Sequence, residues 1–390
     1  MAYSVTLKKN EDHRLLRGHL WAFSNEIQSV EGDPQAGDIV ELKNSAGKFL
    51  GLGFYNPHSL IAVRLLTREQ EEISFDFFKK RIESALALRK QVYPEADAFR
   101  LVHGESDFLP GLIIDKYNQY LSVQAFSGGM DKRMTLICDV LESLLHPEGI
   151  IERNDIALRE LEQLSQQKGI VRGTLGPVTI HENGIAYNVD LLEGQKTGFF
   201  FDQRENRKAF RRYTAGGSVL DVCCNSGGFA LNAADAGARH VTAIDAAESA
   251  VDGAKKNAAL NKLDGKINFQ TADMFEFLKK SLEHKEQFDT INLDPPSFAK
   301  NKKAVQQAKR GYKDLHCSAI SLLSSGGILA TASCSHHINE ETFLEIIADA
   351  ARSLGRNISL LEWHGAAPDH PALPGMPETS YLKFGIFRVL

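Results

Sequence analysis

Long apolar runs are missing from this chain of 390 residues. None approaches the roughly 18 residues that a membrane helix needs, so no membrane partner is expected. The opening stretch, MAYSVTLKKNEDHR, is charged and does not read as a secretory signal. Cysteine is scarce: there are five, and no two are spaced as CxxC. That spacing argues against a zinc site and fits a reducing, cytoplasmic compartment. An excess of basic residues is also lacking. The formal net charge is −5, so there is no overall attraction to nucleic acid. The glycine fingerprint G-x-G-x-x-G is absent as well, which leaves a dinucleotide pyrophosphate without its seat on a helix N-terminus. A dehydrogenase is therefore the least favoured reading.

What is present centres on residues 218–229, SVLDVCCNSGGF. The apolar run 219–222 reads as a buried parallel strand. The turn Asn225-Ser226-Gly227-Gly228 admits only small residues, and Phe229 opens a helix. Cys223 stands where the first fingerprint glycine would be. S-adenosylmethionine (SAM) needs no phosphate seat, and its ammonium suits a strand-end carboxylate such as Asp221, directly or through water. The following strands supply more acids. A second strand, 240–244, ends at Asp245, about 20 residues past the turn, where an acid can take both ribose hydroxyls. A third, 268–270, leads to Asp273, where an acid can take the adenine amino group. A fourth, 288–293, ends in Asp294-Pro295-Pro296, and a fifth, 328–333, ends in Cys334. All of these stand at strand C-termini, the edge where open α/β sheets bind ligands. One such acid alone would read as a plain helix N-cap.

The length implies more than one domain. Residues 1–70 read as a small β unit with strands at 38–42, 49–53 and 60–66. Residues 71–183 read as an α+β unit. It has a helix capped by Ser74 with inner face Phe78, Ile82, Ala85 and Leu86, then a hairpin of 112–115 and 120–126. A helix near 132–145, a strand 149–152 and a helix near 157–166 follow. His103, Glu105 and Asp107 read there as turn residues. Residues 184–390 form the third unit, an α/β Rossmann-like fold of seven strands with a final antiparallel pair at 360–363 and 382–390. It is entered by a hairpin turning at Asn183-Gly184. The consecutive Phe199, Phe200 and Phe201 cannot all face one core. Packing onto the sheet is the simpler fate of each, and stacking on a base or cofactor is the alternative.

Charge is unevenly spread. Lys300, Lys302, Lys303, Lys309, Arg310 and Lys313 fall in a stretch without acids, just after Asp294-Pro295-Pro296. A second run holds Arg204, Arg207, Lys208, Arg211 and Arg212 against Glu205 alone. Either is a candidate RNA contact or a solvated helix face.

Five segments together resemble the PUA-containing family of SAM-dependent RNA cytosine-C5 methyltransferases that act on large-subunit ribosomal RNA. They are GQKTGFFFDQR at 194–204, residues 221–229, NLDPPSF at 292–298, RGYKDL at 310–315, and Ser333-Cys334-Ser335. The β unit is similar to a PUA domain, an RNA-binding pseudo-barrel, in RGHLWAF at 17–23, GDIV at 37–40 and GLGFYN at 51–56. The resemblance implies a class I methyltransferase domain after a PUA and a central domain, SAM as cofactor, ribosomal RNA as partner, and a homodimer. It implies cofactor contacts from Thr197, Phe199, Asp202, Arg204, Asp221, Cys223, Asn225, Ser226, Gly227, Gly228, Phe229, Asp245, Ala246, Asp273, Met274, Phe275 and Asp294. The basic run after Asp294 supplies the RNA-contact candidates Lys300, Lys302, Lys303, Lys309 and Arg310. The resemblance also implies that Cys334 is the nucleophile.

The chemistry of cytosine supports that role. C5 is a poor nucleophile until a thiolate adds to C6 and makes it enamine-like. Asp294 could hold or protonate N3 as the thiol adds. Many RNA cytosine-C5 methyltransferases carry a second cysteine after the proline of the fourth-strand motif. Here that place is Ser297, which leaves the base for the C5 proton unassigned. Two other readings remain open. An amino-group (adenine N6-type) methyltransferase also uses Asp-Pro-Pro, although its aromatic residue usually follows the prolines directly, and here Phe298 is one place late. The other is a non-catalytic RNA-binding protein that holds SAM as a structural ligand.

Overall fold

The computed structural model describes residues 3–194, 197–299 and 302–390, the last range without the Lys302 side chain. The chain forms two compact units. The first comprises Met1–Ile180, Val189–Phe201 and Pro368–Thr379, and the second His181–Asn188, Asp202–Ala367 and Ser380–Leu390.

The first unit holds a six-stranded and a five-stranded sheet. In the six-stranded sheet, Ile39–Lys43, Phe49–Tyr55 and Ile61–Thr67 lie within two residues of the expected strands. Ser4–Leu7, Trp21–Phe23 and Ile27–Glu31 complete it. In the five-stranded sheet, the hairpin Leu112–Tyr117 and Tyr120–Ala125 and the strand Gly149–Arg153 are as expected. Ala98–His103 and Lys168–Gly173 are strands that the sequence reading missed. The helix Phe75–Val92 buries Phe78, Ile82 and Ala85, but Ser74 makes no side-chain cap. Its next buried position is Arg89, paired with Asp107 at 2.5 and 2.7 Å. Asp107 is thus a structural ion-pair partner in a turn.

The helix expected near 157–166 is instead a short 3₁₀ turn, Ala157–Glu162. The reason is Arg159, whose side chain is buried and donates to the Ala125 carbonyl at 2.6 Å and to Asp131 at 2.7 Å. Gln163 then turns left-handed at φ 58° and stops any helix. The entry hairpin pairs Val178–Glu182 with Ile185–Val189. Asn183 and Gly184 sit at φ 53° and 82°, as a type I′ turn demands. Phe199 and Phe201 are buried against each other, ring centroids 5.4 Å apart.

The second unit is built on a seven-stranded sheet. Its strands are β1 (Ser218–Val222), β2 (His240–Asp245), β3 (Ile267–Thr271), β4 (Phe288–Leu293), β5 (Leu323–Ser333), β6 (Ile358–His364) and β7 (Lys383–Val389). The order is β3-β2-β1-β4-β5-β7-β6. The first five strands are parallel, and β7 runs antiparallel to both β5 and β6. The connecting helices are α1 (Gly228–Asp235), α2 (Glu248–Leu260), α3 (Met274–Glu283), α4 (Val305–Leu322) and α5 (Glu340–Ser353). In α4, Ala308, Tyr312, Leu315, Ala319 and Leu322 recur at helical spacing and are buried, so this stripe faces the sheet. Within the second arginine run, Arg204 and Arg207 are buried and pair with Glu182, while Arg211 pairs with Asp235 and Arg212 with Glu362. Arg204 and Arg207 are thus held in the interior, which corrects the reading of a solvated face for those two, while Lys208 and Arg212 are exposed.

His316 of α4 lies in this core, its Nε2 2.9 Å from Thr331 Oγ1. Burial pushes it down to about 4 from the usual 6.5. Between those values the unfolded chain binds a proton that the folded one refuses, so stability is lost as pH falls from 6.5 toward 4. Asp221, pushed up to about 6, works in the opposite direction over part of that window. The test is therefore a difference. Relative to wild type, His316→Gln should lose less stability on acidification, by on the order of 3 kcal/mol at most, in denaturant unfolding followed against pH. Identical pH dependence in both proteins would rule this out.

Candidate active site

The C-terminal edge of the parallel strands gathers most of the singled-out residues of the second unit. Asp221, next to last in β1, has no exposed surface. Asn292 Nδ2 donates to its Oδ1 at 2.9 Å, and the Ala230 N–H to its Oδ2 at 2.9 Å. Past β1 the backbone turns left-handed three times, at Cys223 (φ 66°), Asn225 (47°) and Gly227 (83°). A Cβ on Gly227 would come within 3.2 Å of Ala254 Cβ, and one on Gly228 within 2.9 Å of Arg207 Cδ. Close packing thus favours glycine at both positions, and at Gly227 the left-handed φ requires it as well.

Asp245 closes the same turn from β2. Its Oδ2 accepts from the Asn225 N–H at 2.9 Å and its Oδ1 from the Ala247 N–H at 3.0 Å. Ala246 beside it is exposed. Asp273 caps α3, accepting from Phe275 and Glu276 N–H at 2.9 and 3.1 Å. Cys223 Sγ lies 3.7 Å from Met274 Sδ. Burial and the surrounding acids push the Cys223 thiol up, so it stays protonated. Phe275 is exposed and stacks on Phe298, centroids 6.3 Å apart.

The two candidate catalytic residues end neighbouring strands. Leu293 of β4 pairs in register with Thr331 of β5. Asp294 follows the first strand directly, and Cys334 follows the second. Both are half-buried. Gln203 Nε2 donates to Asp294 Oδ2 at 3.0 Å, and Asn206 Nδ2 donates to Gln203 Oε1 at 2.6 Å. Around Cys334, the Tyr312 hydroxyl lies 2.9 Å from Ser333 Oγ and 3.1 Å from Ser335 Oγ. Ser297 Oγ lies 3.0 Å from Ser335 Oγ. Burial raises the Tyr312 phenol, and the charges of Cys334 and Asp294 add to that. Lys383 Nζ donates to the Ser335 carbonyl at 2.8 Å. Gln203, Tyr312 and Lys383 were not singled out from the sequence. Tyr312 stands in the quoted RGYKDL segment and Gln203 in the quoted GQKTGFFFDQR segment, but Lys383 carries no local signal.

The remaining expected residues are distributed otherwise. Thr197 and Phe199 belong to the first unit, where the Thr197 hydroxyl donates to Asp115 and the Phe199 N–H to Tyr117 Oη at 3.0 Å. Asp202 is buried in the second unit and accepts from the Tyr381 hydroxyl at 2.6 Å. Arg204 is held by Glu182. Lys303 and Arg310 are exposed, and Lys309 is half-buried. Lys300 lies outside the described residues.

Carboxylates with fixed orientation suit an ammonium and a diol. No glycine fingerprint cradles a phosphate. This donor set fits SAM.

Family matching agrees with that chemistry. Residues 167–384 match the S-adenosylmethionine-dependent methyltransferase family, and residues 5–68 match the PUA-like domain.

The chain belongs to the S-adenosylmethionine-dependent methyltransferases.

This methyltransferase is 41% identical, over the full length of both chains, to a protein of Tolumonas auensis named ribosomal RNA large subunit methyltransferase I. A Vibrio cholerae protein of the same name is also 41% identical, again over the full length of both. In fold it is similar to a Streptococcus mutans protein described as a SAM-dependent methyltransferase, with TM-score 0.86, 21% identity and complete coverage of both chains. A further methyltransferase structure, complexed with SAH, aligns at TM-score 0.87 and 22% identity, also over both complete chains. The second unit thus has the class I SAM methyltransferase fold, and SAM is the cofactor of the family.

Asp245→Ala should weaken SAM binding at least about tenfold, since charged hydrogen bonds of about 1.5–3 kcal/mol each are at stake. The loss includes slackening of the turn that Asp245 holds through Asn225. Unchanged affinity in isothermal calorimetry would remove Asp245 from the cofactor site.

Proposed function

We propose that this protein methylates C5 of a cytosine in large-subunit ribosomal RNA, with Cys334 as the attacking nucleophile. The observation that carries the reading is the juxtaposition of Asp294 and Cys334 at the ends of adjacent, in-register parallel strands. Support for the RNA substrate comes from the names of the relatives and from the PUA-like match. The exposed Lys303 and Arg310 near Asp294 in sequence suit a phosphate backbone.

In this mechanism the Cys334 thiolate forms a bond to C6, and the C5–C6 π pair moves onto C5. Asp294, held by Gln203, stabilises or protonates N3, so the ring carries less negative charge. Bound SAM would supply an electrophilic methyl group; the pair on C5 forms the new C5–CH3 bond, and the S–CH3 bonding pair stays on the sulfur. A proton then leaves C5 to a solvent base, the C5–C6 double bond re-forms, and Cys334 departs as thiolate. Asp245 and Asp273 would hold the cofactor's ribose and adenine, with the turn 223–228 against its amino-acid end. Asp221 has no exposed surface. It would act by fixing the turn and Asn292. The proposal includes residues 1–70 as the RNA-binding PUA domain, residues 71–183 as a central domain, and residues 184–390 as the methyltransferase domain. It also takes the protein to be a cytoplasmic homodimer.

Replacing Lys303 and Lys309 by Ala should weaken RNA binding and flatten its salt dependence, by up to about 0.7 in log–log slope per lost phosphate contact to single-stranded RNA. SAM binding should stay unchanged. An unaltered salt slope would make this run a solvated face.

RNA carrying 5-fluorocytidine at the target should trap the enzyme covalently. With fluorine at C5, no proton can leave after methylation, so elimination stops. The complex should survive denaturing electrophoresis, require SAM, and exceed the protein mass by the RNA plus one methyl group. Cys334→Ala should form none while still binding SAM, and Cys317→Ala should form it normally. An active enzyme that releases product from this RNA would overturn the covalent reading in favour of amino-group methylation. No methyl transfer to any RNA would favour a SAM-holding RNA-binding protein.

A further inference from the structure

We propose that the ammonium of Lys383 is the built-in counter-ion of Cys334, holding it as the thiolate that attacks. This rests on the reading of Cys334 as nucleophile given above. The topology brings the two together. Lys383 opens β7, and β7 lies antiparallel beside β5 with Lys383 in register with Ser333. Cys334 is the next residue. The Lys383 side chain is buried, with the residue only 5% exposed. Its Nζ donates to the carbonyls of Ser335 and Tyr381, each at 2.8 Å. The lysine therefore spans Cys334. Its backbone is paired with the residue before the cysteine, and its ammonium is tied to the residue after it.

A buried ammonium is costly unless an anion compensates it. Among the described residues, Lys383 is held by these two neutral carbonyls and by no carboxylate. Burial pulls it down to about 8, and the charge on Cys334 is the first influence in the other direction, followed by Glu340. Other groups lie around this pair. Tyr312 of α4 bridges Ser333 and Ser335, Asp294 follows β4, Glu340 starts α5, and the rings of His336 and Tyr381 lie tilted to each other at 5.8 Å between centroids. Asp294 and Glu340 are acids, and their charge opposes a thiolate. Lys383 supplies the opposite sign. In the step itself the Cys334 proton leaves to solvent, and Lys383 neither gives nor takes a proton. The Sγ lone pair forms the bond to C6, and on elimination the pair returns to sulfur beside the same ammonium.

The test is the pH dependence of Cys334 alkylation by iodoacetamide, read by peptide mass mapping in wild type, Lys383→Met and Lys383→Arg. Wild type should titrate below the roughly 8.5 of a free thiol. Lys383→Arg, which keeps the charge, should also stay below it, and Lys383→Met should rise by about one unit or more. A purely structural role for Lys383 would change stability without moving this midpoint. SAM affinity checks that each variant is folded. Should Lys383→Met fail to fold, wild type and Lys383→Arg still decide. A wild-type midpoint at or above 8.5 overturns the proposal, as does an equal midpoint in a folded Lys383→Met. The 5-fluorocytidine trap separates the two ideas. Trapping with an unshifted midpoint sinks the role of Lys383 alone, and loss of trapping in the wild type sinks the nucleophile on which that role rests.

Discussion

A carboxylate with no exposed surface ties three elements of the second unit together at one point. Asp221 of β1 accepts from Asn292 of β4 and from the first turn of α1. Burial makes its ionised form expensive and pushes it up to about 6, while the two hydrogen bonds pull it back down. Neither bond can be given up without leaving a buried acid unsupported. That necessity fixes where α1 begins relative to β1, and hence the two ends of the turn between them. Asp245 then seizes the same turn from the β2 side through Asn225. A loop whose residues sit at φ 66°, 47° and 83° would be strained in isolation. Here it has been clamped from two strands.

The acids of this edge set an electrostatic bias with two consequences. Asp221, Asp245, Asp273 and Asp294 all favour a cation, which suits a sulfonium carrying an ammonium. The same charges penalise a thiolate. Cys223 shows the penalty directly, since its thiol is pushed up by burial first and then by these four acids. Cys224 is raised in the same way by burial, Asp221 and Asp245. A nucleophilic cysteine on this edge therefore needs local compensation that Cys223 lacks. One edge must serve a positive cofactor and a negative nucleophile, and the two demands are reconciled only if the charge around Cys334 differs from that around the turn.

Much of this edge was legible in the sequence because parallel strands announce themselves. Each is a short apolar run, and its functional residue follows it directly, as Asp245 follows Ile244 and Asp294 follows Leu293. Glycines and Asn-Gly marked the turns for equally local reasons. Partners distant in sequence were not legible. Glu182 sits in a hairpin, and nothing around it signals that it neutralises both Arg204 and Arg207. Those arginines read as surface charge because a buried ion pair and a solvated face have the same local pattern. The segment 157–166 failed in the other direction. Its apolar spacing reads as helix, and the tertiary demand of one buried side chain, Arg159, overrides it.

Lys383 was hidden for a topological reason. A residue that opens a parallel strand lies at the edge opposite the ligands, so a lysine at a strand start carries no expectation of function. β7 is antiparallel and inserted between β5 and β6, which reverses that rule for one strand. Its first residue meets the last residue of β5, and the C-terminal edge gains a side chain from a strand N-terminus. The pairing also explains why a lysine can be buried there. The chain around it, through the Ser335 and Tyr381 carbonyls, offers acceptors already turned toward the ammonium. An antiparallel last pair thus does more than close the sheet. It is the feature of the fold that can bring a positive charge to an edge otherwise composed of acids, and it does so beside the cysteine and away from the glycine turn.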